Sequence, residues 1–76
     1  MNFAANLVAA LNKRNWTAAH LAAALYDNGV AVNVMTIERW MAGRNEPGAT
    51  MVSHVAKALG VAVEFLLDCD PIAAGQ

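Results

Sequence analysis

Charge of one sign is scarce in this chain: five Lys and Arg stand against six Asp and Glu, so 76 residues carry a net charge of −1, with an isoelectric point near 6.0. That sum argues against a partner held by bulk electrostatics, such as nucleic acid, and leaves only an uneven distribution to supply a local field. Cysteine is nearly absent. Cys69 alone cannot close an internal disulfide, which fits a reducing compartment, and its place near the carboxyl end suggests no role. Long apolar runs are missing too, because polar residues interrupt every stretch before the roughly 18 that a membrane span needs. The amino terminus lacks a charged n-region, so no secretory signal is expected. These absences predict a cytoplasmic protein with no membrane partner. Beyond hydroxyls and acids, only His20, His54 and Cys69 are of the usual nucleophile or base types. They show no Cys-His-Asp order, no metal spacing and no phosphate loop, so neither catalysis nor a cofactor or metal is expected. Both histidines read as solvated helix residues.

What the chain does have is alanine and helical spacing. It is 58% hydrophobic, and strand-like alternation is almost absent, which predicts an all-α domain of small helices packed closely. Residues 1–67 form the domain and 68–76, with Pro71 and Gly75, a flexible tail. The stretch from Asn33 to Gly43 carries its own punctuation: Asn33 is a good N-cap and Gly43 a good stop, with Pro47 beyond. Ile37, Trp40 and Met41 mark a buried face, and Val34, Met35, Glu38 and Arg39 the opposite one. A helix so short is marginal alone and must be held by its neighbours. Before it, Asn2 to Lys13 is a helix with Phe3, Leu7 and Leu11 on one side. Lys13 and Arg14 at its end suit the helix dipole or, alternatively, touch phosphate. Trp16 reads as core. Thr17 caps a second helix, Ala18 to Asp27, with Leu21, Ala22 and Leu25 buried, but His20 stands where Glu or Gln would complete a capping box, so the cap reads as half made. Asn28 and Gly29 stop this helix, and Val30 to Val32 run extended. After a polar loop, Ala49 to Leu59 form a fourth helix buried through Val52, Val55, Ala56 and Leu59, with Gly60 as its stop. Val61 re-enters the core, and Ala62 to Leu67 make a last short helix.

The order Leu21-Ala22, Leu25, Thr36-Ile37-Glu38-Arg39-Trp40, Gly43, Pro47 and Val55-Ala56-Lys57-Ala58-Leu59-Gly60-Val61 resembles the lambda-repressor-like, Cro and XRE family over roughly Asn6 to Leu67. The resemblance implies a compact five-helix bundle whose second and third helices form a helix-turn-helix, with the third in the DNA major groove. It also implies a homodimer on a pseudo-palindromic operator, with half-sites about one helical turn apart. The Asp27–Val32 link is longer than the family's usual four residues, which leaves the angle between the two helices open. The charge balance is the other departure. Lys13, Arg14, Arg39 and Arg44 nevertheless fall in segments that the resemblance places near DNA, whereas Glu64, Asp68 and Asp70 fall in the carboxyl-terminal third.

Roles follow position by position. The resemblance places Val34 and Met35 at base-contacting positions, where apolar groups can pack on thymine methyls. Arg39, the only long donor on the exposed face, can grip guanine O6 and N7 together, a contact worth roughly 1–3 kcal/mol of discrimination. Glu38 either accepts from cytosine N4, orients Arg39 or stays in solvent. Arg14, Thr17, Asn33, Thr36, Arg44 and Asn45 are phosphate candidates, helped by free amides at two helix starts. Met51, Val63 and Phe65 exceed what a small core comfortably buries, and the resemblance puts dimer contacts on the fourth and fifth helices. The expected function is therefore a sequence-specific transcriptional regulator, a phage or bacterial repressor acting on double-stranded DNA as a dimer. The alternative is a protein-interaction module, such as an antitoxin or antirepressor, which the apolar Val34 and Met35 and the methionine content also suit.

Overall fold

The computed structural model describes residues 3–67; the expected tail, with Cys69, lies outside the described residues. Five α-helices follow one another: α1 Phe3–Arg14, α2 Ala18–Asp27, α3 Val34–Met41, α4 Ala49–Leu59 and α5 Val63–Leu67. None among the described residues is long and apolar enough to cross a membrane. The all-helical, five-helix expectation holds, including the extended link between α2 and α3. The last helix begins at Val63 instead of Ala62.

The helices bury most of the stripes that their spacing announces. Phe3, Leu7, Ala10 and Leu11 of α1 meet Ala18, Leu21 and Leu25 of α2, Ile37 and Trp40 of α3, Val52, Val55, Ala56 and Leu59 of α4, and Leu66 of α5. α2 packs on α3 and α4, while α1 closes the other side against α3 and α5. Phe3 meets Trp40 edge to face, ring centroids 6.4 Å apart, the arrangement that aromatic quadrupoles favour. Among the described residues no polar or charged side chain is buried. Some expectations need correcting here: Trp16, Ala22 and Val61 only half-enter the core, and Leu66, not singled out by spacing, is fully buried. Met41 is likewise only half-buried.

The helix ends explain why the chain turns where it does. α1, α2, α3 and α4 all stop by the same device, a left-handed residue followed by a backward bond from the next amide. The left-handed residues are Asn15, Gly29, Gly43 and Gly60, with φ of 57°, 83°, 77° and 72°. The backward bonds run from Trp16 N–H to Leu11 O, Val30 N–H to Leu25 O, Arg44 N–H to Arg39 O and Val61 N–H to Ala56 O, at 2.9–3.0 Å. Three of the stops use glycine, which takes positive φ without strain; the first uses Asn, the next most tolerant residue. At the amino ends, Asn33 Oδ1 accepts from Thr36 N–H at 2.8 Å. The α2 cap is complete, contrary to the half-made cap expected: the Thr17 N–H donates to His20 Nδ1 at 2.9 Å and Thr17 Oγ1 accepts from His20 N–H at 3.4 Å. An imidazole nitrogen at this position reaches the same donor that a Glu or Gln oxygen would.

Candidate nucleic-acid interface

α3 is fixed from three directions. Ile37 and Trp40 anchor one side in the core, Asn33 caps its start, and Gly43 ends it. Its other side is open: Val34 and Met35 are 37% and 60% exposed, and Glu38 and Arg39 are exposed beside them. All four base-reading candidates therefore share one solvent-facing surface of a firmly seated helix. Arg39 Nη2 lies 3.7 Å from Met35 Sδ, one turn back. The contact is to a thioether, a weak acceptor, so the guanidinium is steered along the helix and, among the described residues, makes no stronger hydrogen bond. Among the described residues, the side-chain contact shown for Arg39 is with Met35.

The carboxyl end of α3 differs from the other stops. In this motif the residues joined by the backward bond are commonly an apolar pair. Leu11 with Trp16, Leu25 with Val30 and Ala56 with Val61 follow that habit, whereas in α3 the pair is Arg39 with Arg44. The turn that closes on Gly43 thus gathers two of the chain's five basic residues at one exposed corner. A cation there suits the helix dipole. Two cations at a position usually given to apolar contact go beyond that need. The pairing is legible in the five-residue spacing across Gly43, although the sequence reading located the two arginines separately.

The remaining phosphate candidates divide by how far they are already engaged. Asn45 is exposed beyond α3, next to Arg44. Thr36 is half-buried and its amide is taken by Asn33, so the free amides at this start belong to Val34 and Met35. Thr17 has both its N–H and its hydroxyl oxygen occupied by His20. Arg14 lies with its guanidinium 5.7 Å from the Trp16 ring centre. It also rests against the end of α4, where a Cβ on Gly60 would stand 3.1 Å from Nη2. Neither contact was foreseen, since each depends on a turn or a partner remote from the α1 pattern. Among the dimer candidates, Met51 and Val63 are half-buried against the core, and Phe65 is 46% exposed. Phe65 borders a groove of about 730 Å³ that Lys13 and Arg14 also line. Tyr26, 73% exposed at the end of α2, was not anticipated as a surface aromatic. No group of three or more His, Cys, Asp or Glu among the described residues is placed to hold a metal ion. No protein-family model matches the chain, and neither a curated protein nor a solved structure matches it.

Proposed function

We propose that this chain is a sequence-specific DNA-binding transcriptional regulator of the lambda-repressor-like, Cro and XRE kind, a phage or bacterial cytoplasmic repressor that occupies its operator as a homodimer. The observation that carries the reading is α3 itself: a helix of eight residues, too short to persist alone, is anchored, capped and stopped so that Val34, Met35, Glu38 and Arg39 stand outward with Arg44 at its end. In this reading the exposed face enters the major groove. Arg39 leaves its weak thioether contact for a guanine edge, Met35 and Val34 pack on thymine methyls, and Arg44 and Asn45 meet the backbone. The mechanism is occupancy and needs no cofactor. The acidic overall balance is compatible with it, because an uneven charge distribution can still supply a local field, and Arg39 and Arg44 are both exposed at the α3 corner, with Glu38 and Glu46 exposed near them.

The test is a salt titration of binding to a labelled duplex library carrying the protein's own upstream region, wild type against Arg39→Ala. Selective binding that weakens steeply with salt, together with loss of sequence preference in the variant, is expected. Absence of selective binding at low salt would transfer α3 to the second reading, a protein-interaction surface of antitoxin or antirepressor type. The exposed thioether and valine of Met35 and Val34 favour that alternative, and its affinity would change little with salt.

A further inference from the structure

The groove bordered by Phe65 lies between the carboxyl half of α1 and the α4–α5 corner, measures about 730 Å³ and takes no residue from α3. Such a volume is in the range of small-molecule sites. Ala9, Ala10 and Ala62 carry only a methyl and Gly60 not even that, so α1 and the corner leave a hollow between them. Its apolar surface comes from these alanines, the half-buried Val61 and the Phe65 ring, 46% exposed. Its charge comes from Lys13 and Arg14. Among the described residues no acid lines it, and Glu64, exposed on α5 beside Phe65, stays outside. Two helix carboxyl ends also meet here, α1 at Arg14 and α4 at Gly60. Each is worth about half a negative charge, so together they offset about one of the two cations. Roughly one positive charge is left beside an apolar recess.

That combination decides between occupants. A nucleic-acid backbone brings repeated charge and no apolar group to cover Phe65, and a bare anion leaves the same ring uncovered. An amphiphile with one anionic head and a short apolar body answers both features. We infer that this groove binds a free monocarboxylate of medium alkyl length, its head held by Lys13 and Arg14 and its chain laid on Ala9, Ala10, Val61 and Phe65. This inference does not rest on the proposed function. Phe65 is also a dimer candidate, so a second copy seated there would compete with the amphiphile and be displaced at saturating concentrations.

The test is a titration of the full chain with octanoate, hexanoate and octylammonium, followed by amide resonances, for wild type and Lys13→Glu. Octanoate should shift the amides of Ala9, Ala10, Gly60, Val61, Ala62 and Phe65 to saturation. Hexanoate, two methylenes shorter, should bind about 4–15-fold more weakly, the range from half to full burial of those methylenes. Octylammonium, the same chain with the opposite charge, should bind at least about fivefold more weakly than octanoate. Lys13→Glu turns the residual charge from positive to negative, so its preference should reverse toward octylammonium. Shifts spread alike over all five helices, equal response to the two eight-carbon amphiphiles, or a preference unchanged in Lys13→Glu would each overturn the inference. Should the variant fail to fold, the comparison of the amphiphiles on wild type decides alone.

Discussion

Arg14 shows how much one side chain can be asked to do. It closes α1 with a charge of the right sign, lies by the face of Trp16 and rests against Gly60 at the carboxyl end of α4, a second helix terminus that favours a cation. Arg14→Ala is expected to lower stability by about 0.5–1 kcal/mol, the usual worth of an exposed cation–π contact, read as a fall in thermal midpoint. If Arg14 also meets phosphate, the same variant reduces the salt slope of DNA binding by about 0.9, so the two roles separate in two measurements. Gly60→Ala tests the other side of the contact. A left-handed φ of 72° costs a residue with a Cβ roughly 1–2 kcal/mol, and the added methyl must also move the Arg14 guanidinium. A melting point within error of wild type would show that the turn relaxes. The sequence could offer only alternatives for Arg14, because its neighbours are set by the reversal at Asn15 and by a glycine at the far end of another helix. The His20 cap departs from expectation for a different reason: residue type alone does not decide a capping box, because what counts is an acceptor atom within reach.

At the scale of the element, α3 was the most legible part of the chain, since everything that defines it is local. Asn33, Gly43, Ile37 and Trp40 each occupy the expected place. Asn33→Ala removes the acceptor for the Thr36 amide and is expected to cost about 0.5–2 kcal/mol. Hydrogen exchange is the sharper measurement: amides of α3 should exchange faster in the variant while those at the middle of α1 and α4 change little. Equal acceleration everywhere would mean that α3 opens only when the whole domain does. Less legible were the weaker elements. α5 has five residues and starts where Ala62 leaves off, and Leu66 stands out only once α1 is packed beside it, with the Asn6 side chain reaching the Leu66 carbonyl at 3.4 Å. A helix of little more than one turn has no periodicity to read.

For the whole molecule, the proposed function depends on two quantities that a single chain does not display, field and assembly. If about four phosphates are neutralised per protomer, log K against log salt should fall with a slope near −3.6 for one subunit and roughly twice that for a dimer. Phe65→Glu places a charge on the most exposed of the dimer candidates, and sedimentation should then show monomer at concentrations where wild type associates. A wild-type mass independent of concentration up to high micromolar would remove the dimer from the proposal. The bundle itself was readable because its apolar stripes are regular; the degree of exposure of Met51 and Val63 was not, because half-buried and exposed residues look alike in a pattern. The four matching helix stops carry a further implication. The described interior is wholly apolar, so it offers no polar contact that would tell one register of packing from another. Positional information sits instead at the corners, where Asn15, Gly29, Gly43 and Gly60 tell the chain when to turn. A variant with its interior rewritten at constant volume should therefore keep this architecture, whereas moving a single corner by one residue would rotate the next helix to present a different face.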